Sequence, residues 1–277
     1  MSSVQYNAKG QAIPAATKAF GAEAFTQIDH TEIRWLGGAG ALINSRGTTI
    51  MIDPVFSGFD MPLLIDVPIT ESQVPYVDSV LLTHSDGDHY SRKTCKEIAP
   101  RVDGFHAPHY VADLLHSELN VGSTGHGIGD RFSVGDVKVT LTPAWHTWQN
   151  ELPDQERVFL LEDCCGFWLD TPDGSIWAVG DSRLMPEHLD MPHPDVMLFD
   201  FSDSSWHIGL DGAVQLANAH PDTKLILWHW GSVDAPDWKE FNGDPNVLRE
   251  CVANPERILV LAPGEAWQLE KKQRVSV

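Results

Sequence analysis

The sequence predicts an α+β fold: two packed β-sheets in one domain, with helices outside them. Three observations predict it. Short apolar or alternating runs bounded by Gly, Pro, Asn and Asp recur along the chain and have the length and pattern of strands. Amphipathic stretches at 108–119 and 210–220 have the helical period. No low-complexity linker divides the two strand-rich halves, so the halves belong to one layered unit.

Taken in order, residues 1–30 are a lead-in, with a short helix expected at 15–25, and residues 31–277 are the domain. Residues 32–36 alternate as a half-buried strand does, Gly37-Gly38-Ala39-Gly40 makes a tight turn, and 41–44 is a second strand. That glycine run has neither the lysine nor the strand–loop–long-helix setting of a phosphate loop. Ser45-Arg46-Gly47 turns the chain into a strand at 48–52, and Pro54, lacking an N–H, stops the ladder. Residues 62–75 are irregular and expected at a pocket rim. A strand at 77–82, a helix at 91–98, a strand at 101–106 and the helix at 108–119 follow. Residues 122–129 are glycine-rich, and 130–132 with 137–142 form a hairpin. In the second half, strands are expected at 158–162, 167–171, 175–179, 195–200, 224–228, 258–261 and 266–270. Residues 210–220 are helical, and 236–254 mostly so.

Composition narrows the function. Over 277 residues, 42% hydrophobic and 21% charged content is that of an ordinary globular protein able to bury a sizeable core. A formal charge of −20 repels phosphate backbones and argues against a nucleic-acid partner. No apolar run is long enough to span a membrane, and the first 18 residues have no apolar signal core, so a cytoplasmic protein with no membrane partner is expected. Cys95, Cys164, Cys165 and Cys251 form no CxxC pair and are expected to be reduced thiols.

The chemistry-bearing stretch is His84-Ser85-Asp86-Gly87-Asp88-His89, which packs four candidate metal ligands behind a buried strand. Gly87 lets the backbone turn between them. Three further strands end in a ligand-type residue: His146, Asp181 and His229. Ends of strands on one sheet edge converge, and the loops there are free to carry chemistry.

This order resembles the metallo-β-lactamase superfamily, whose mark is His-x-His-x-Asp-His after a strand, then a single His, a Gly-Asp and a final His. The matching positions are 83–89, His146, Gly180-Asp181 and His229, and 33–54 resembles that family's first hairpin. The resemblance spans about residues 31–262 and implies an αβ/βα four-layer sandwich of two mixed sheets. Asp53-Pro54, His207 and His229-Trp230-Gly231 point to the branch typified by the ascorbate-phosphate lactonase. By resemblance, a first ion takes His84, His146 and Asp86, a second takes Asp88, His89 and His229, and Asp181 bridges them. Zinc is the expected metal, with manganese or iron favoured if Asp86 is a ligand, because a carboxylate is a harder donor. Asp86 departs from the family's histidine. Three outcomes are open: a carboxylate ligand, a weakened first position with one ion in place of two, or a binding site without turnover.

The resulting expectation is a metal-dependent hydrolase, lactonase- or esterase-like, acting on a small-molecule ester and most of all a lactone. A divalent ion lowers the pKa of bound water to near 7, and Asp88 is the candidate to orient the nucleophile and carry its proton. A phosphodiesterase and a non-hydrolytic metal-binding or redox module are the alternatives. His207 is a candidate for catalysis or substrate binding, and Trp145, Trp148, Arg183 and Trp230 are candidate substrate contacts. At least three of Trp145, Trp148, Trp206, Trp228 and Trp230 are expected to be packing residues. Asp53 is expected to hold loop backbone, and Asp200 and Asp203 to support ligand histidines. His106, His109, His116, His126, His188, His193 and His220 are expected to be structural or at the surface. Members of the branch often assemble, so a homo-oligomer is a further expectation.

Overall fold

The computed structural model describes residues 4–153 and 155–270. The chain opens with a two-stranded hairpin, β1 (Gln5–Tyr6) and β2 (Ala12–Ile13). A first seven-stranded sheet then collects β3 (Thr31–Gly37), β4 (Gly40–Ser45), β5 (Thr48–Ile52), β6 (Val77–Leu81), β7 (Val102–Pro108) and β8 (Ser123–His126) in sequence order. A second takes β9 (Arg131–Val134), β10 (Val137–Pro143), β11 (Cys165–Thr171), β12 (Gly174–Ala178), β13 (Val196–Phe199), β14 (Lys224–Leu227) and β15 (Ile258–Leu259). The last strand, β16 (Ala266–Gln268), returns to the first sheet as an antiparallel neighbour of β3. Each sheet is antiparallel in its earlier half and parallel in its later half.

Alternation along the strands decides the layers. On β4 and β5, Ala41, Ile43, Ile50 and Ile52 face the second sheet and pack with Val137, Val139, Phe167 and Leu169. Leu42 and Met51 face the other way, onto α1 (Arg92–Ile98) and α2 (His109–Leu119), through Cys95, Ile98, Val111 and Leu115. On the far side, α3 (Pro186–Leu189), α4 (Gly209–Ala219) and α5 (Pro245–Cys251) cover the second sheet; Ala213, Leu216, Ala217 and Leu248 enter its core. The result is helix, sheet, sheet, helix, the predicted four-layer α+β sandwich.

Several local expectations change. The helix expected at 15–25 is a single 3₁₀ turn, Ala22–Phe25. The strand expected at 158–162 is absent: β11 already has β10 and β12 on its two edges, and 161–163 forms a 3₁₀ turn in which Asp163 accepts from the Leu160 N–H. Helix in 236–254 is limited to Lys239–Phe241 (3₁₀) and α5, because Pro245 can enter a helix only at its first turn. The glycine-rich stretch after α2 contains β8, an edge strand. The lead-in packs on the domain, with Ala12 in the inter-sheet core and the Gln11 amide donating to the Val233 carbonyl. Residues 271–277 of the expected domain lie outside the described residues. Among the described residues no helix is long and apolar enough to cross a membrane.

Candidate metal centre

Strand direction assembles the site. His84 and the loop to His89 leave β6, His146 follows β10, Asp181 follows β12, Asp200 follows β13 and His229 follows β14. Because β12, β13 and β14 run parallel, their C-terminal ends share one edge. Two backbone positions there are strained: Asp53 (φ +41°) and His229 (φ +58°) occupy the left-handed region, where a non-glycine residue costs about 1–3 kcal/mol. Gly180 (φ +75°) is required as glycine, since a Cβ would lie 2.5 Å from the Cys165 carbonyl oxygen.

The donor atoms converge in two trios. His84, Asp86 and His146 form one; Asp88, His89 and His229 form the other. His146 Nε2 lies 3.3 Å and His84 Nε2 3.4 Å from Asp86 Oδ2. His229 Nε2 lies 3.2 Å from Asp88 Oδ2. Asp181 Oδ2 stands between the trios, 3.1 Å from His89 Nε2, 3.3 Å from His229 Nε2 and 3.5 Å from His207 Nε2. Ligands about 2.1 Å from an ion at tetrahedral angles sit about 3.4 Å apart, so these separations suit a metal.

Every one of these histidines is held by Nδ1. His89 Nδ1 meets Asp53 Oδ2 at 2.8 Å. Thr83 Oγ1 donates to the same oxygen at 2.5 Å, which leaves it to accept from His84 Nδ1 at 2.9 Å. His146 donates to the Trp206 carbonyl, His229 to the Glu240 carbonyl, and His207 to Asp200 Oδ2 at 2.5 Å. With Nδ1 carrying the proton, the Nε2 atoms of His84, His89, His146 and His229 turn their lone pairs inward, as a metal ligand requires. Asp86 is fixed as firmly: Trp148 Nε1 donates to Oδ2 at 2.7 Å and Gln149 Nε2 to Oδ1 at 2.6 Å.

Two observations test whether a cation fits. His84 Nε2 and Asp181 Oδ1 are buried and have no hydrogen-bond partner among the described residues, a costly state that an ion between them would relieve. The buried carboxylates also favour positive charge here. Burial alone would lower His229, but Asp181 and Asp88 outweigh it and push it up to about 10. Burial alone would raise Asp86; the charges and hydrogen bonds of His84 and His146 hold it well below the usual carboxylate range. A field that favours a proton on the His229 ring favours a divalent cation beside it as well.

The trios open into a cavity of about 400 Å³ lined by Asp86, Asp88, His146, Asp181, His207 and His229 and by aromatic side chains. A larger groove of about 750 Å³ runs past Arg131, Lys138 and Trp168 and contains none of these ligands. Its size does not make it the site of chemistry.

All seven sequence-predicted metal ligands meet at this centre, and His207 reaches it with Asp200 behind it. Asp53 holds the Thr83 backbone N–H, as expected, and His89 as well. Trp148 and Trp206 line the cavity. Trp145, Arg183 and Trp230 lie elsewhere. Trp230 is fully buried and stacks on Trp35 at 5.8 Å. Trp145 is exposed under the Arg183 guanidinium, which is ion-paired to Glu151. Asp203 pairs with Lys239 at the surface and supports no ligand. Sequence reasoning missed Phe59, Met61, Trp238, Glu240 and Phe241 on the cavity wall, and Thr83 and Gln149 behind the ligands. Single apolar residues in irregular segments carry no periodic signal, although Gln149 and Trp148 directly follow a predicted ligand loop.

A family model described as the beta-lactamase superfamily domain matches residues 48–230. A UPF0173 metal-dependent hydrolase of Archaeoglobus fulgidus is 27% identical over 253 residues, covering 87% of this chain and 100% of the relative. One from Nitratidesulfovibrio vulgaris is 28% identical, covering 88% and 97%. Among solved structures, an isothiocyanate hydrolase from Delia radicum gut bacteria superposes with TM-score 0.69 at 17% identity, covering 87% of this chain and all of the other. Igni18, a metallo hydrolase of Ignicoccus hospitalis, superposes with TM-score 0.67 at 18% identity, covering 87% and 99%.

Proposed function

We propose that this chain, which belongs to the beta-lactamase superfamily, is a metal-dependent hydrolase that opens a small-molecule ester, a lactone above all. The observation that carries the reading is the pair of His/Asp trios joined by Asp181 at the floor of one cavity. His84, Asp86 and His146 would hold one divalent ion, zinc or, given the carboxylate, manganese or iron; Asp88, His89 and His229 would hold a second, with Asp181 shared. Such ions supply a water acidified to near neutral pH and polarise a carbonyl.

The chain's own residues supply the rest. Asp88 reaches the cavity while hydrogen-bonded to His229, where it can orient the attacking water and accept its proton. His207 is the candidate acid: Asp200 fixes its Nδ1 side, and its Nε2 faces Asp181 inside the cavity, placed to return a proton to the leaving oxygen. In a lactone that oxygen stays tethered to the acyl group, so one compact cavity serves both halves of the reaction.

Elemental analysis of protein expressed with added metal, and acid release from a panel of lactones, esters and phosphodiesters, test the reading. One or two equivalents of metal and turnover of lactones are expected. Less than about a tenth of an equivalent would sink it.

A further inference from the structure

Five aromatic side chains surround the two trios in the cavity: Phe59, Trp148, Trp206, Trp238 and Phe241. They divide by trio. Trp148 and Trp206 stack at 4.9 Å beside Asp86 and His146. Both indole N–H groups are already used, by Asp86 and by Glu151, so this pair offers ring surface rather than donors. Phe59 and Phe241 meet edge to face at 6.2 Å on the side of Asp88 and His229, and Phe241 stacks on the His229 ring. Behind them an apolar cleft continues past Val55, Leu63, Ile65 and Val67.

Apart from its histidines, every ionisable side chain lining the cavity is acidic. Asp60, Asp86, Asp88, Asp181 and Glu240 line it, and among the described residues no lysine or arginine does. Arg183 is turned to Glu151 and the Ser205 carbonyl, and Lys239 to Asp203. Two divalent ions and a protonated His207 would bring five positive charges against those five carboxylates. An anionic ligand would therefore enter a field with no positive surplus, inside a low-dielectric wall where like charges cost most. Ring faces, in contrast, attract flat apolar groups at offset-stacking distance.

We infer that the substrate is an uncharged small ester carrying a flat ring, and that the ring lies against Trp148 and Trp206. This rests on the hydrolase reading above and narrows it; phosphate esters and carboxylate-bearing lactones are excluded as preferred substrates.

Kinetics with the metal-loaded full chain test it. Phenyl acetate and 4-acetoxybenzoate differ by one remote carboxylate, and kcat/KM for the neutral ester is expected to be higher by about tenfold or more. Trp206→Ala is expected to shrink the preference for phenyl acetate over ethyl acetate by about tenfold, through KM, and Trp206→Phe to restore most of it. Equal turnover of 4-acetoxybenzoate, faster hydrolysis of bis(4-nitrophenyl) phosphate, or an unmoved phenyl/ethyl ratio in Trp206→Ala would each overturn the inference. Calorimetric binding of acetanilide against benzoate reads the same selectivity without turnover. Acetanilide binding at least about tenfold tighter upholds it even if every ester stays intact, a result that would sink only the hydrolase reading; benzoate binding as tightly overturns it.

Discussion

His89, in the second trio, is held by Asp53, a carboxylate with no exposed surface at the end of β5. Asp86, in the first, is held by Trp148 and Gln149, which follow His146 on the wall of the cavity. Both trios present a carboxylate and two histidines, yet His89 of one is wired into the core and Asp86 of the other into the cavity wall. His146 is tied to the Trp206 carbonyl, so it too depends on that wall. The difference implies that a change at Asp53 acts most directly on His89 in the second trio, and a change at Trp148 on Asp86 in the first.

The largest expected effect comes from the residue both halves share. Asp181→Ala should lower kcat/KM by about a thousandfold and reduce metal content at both positions; elemental analysis showing full loading would break the symmetry drawn here. Next is Asp53→Ala, which removes the partner of His89 in the second trio and of Thr83, which in turn holds His84 in the first. It should destabilise the fold by about 3–5 kcal/mol in urea titrations, because His89 and Thr83 lose a fully buried partner. It should also weaken metal binding at the second position about 10- to 100-fold.

The first trio can be tested more gently. Asp86→Ala should lose one ion where Asp86→His keeps it, and unchanged stoichiometry in the alanine variant refutes a ligand role. Trp148→Phe retains a stacking ring but removes the indole hydrogen bond, so metal affinity should fall about tenfold at the first position alone.

The smallest effect lies outside both halves. Burial, with the neighbouring His126, pulls His106 down to about 4, against about 6.5 in an unfolded chain. The unfolded chain then binds a proton the folded one refuses. This contribution to stability is complete above about pH 6.5 and is lost as pH falls towards 4. His106→Gln should flatten that part of the stability–pH curve, read from urea midpoints, and leave metal content unchanged.

Four of the seven candidate ligands stand within six residues behind one strand, and their chemistry was readable there directly. His146, Asp181 and His229 were readable because each ends a run with strand periodicity. The cavity wall was not. Phe59, Trp238 and Phe241 sit in irregular segments, where an aromatic residue has the same local pattern whether it is packed, exposed or facing a substrate. Trp230 shows the converse: beside a ligand in sequence, it points into the core and stacks on Trp35.

By itself, then, the sequence determined which groups could bind a metal, their order at strand ends, and the sandwich that holds them, because residue chemistry and period-two patterning are local properties. Only the tertiary structure decided that Asp86 is anchored by Trp148 and Gln149, that Arg183 is turned away, and that the wall is aromatic and, among the described residues, without lysine or arginine. Those depend on which loops meet across the sheet edge, and side chains far apart in sequence meet there only once both sheets have packed.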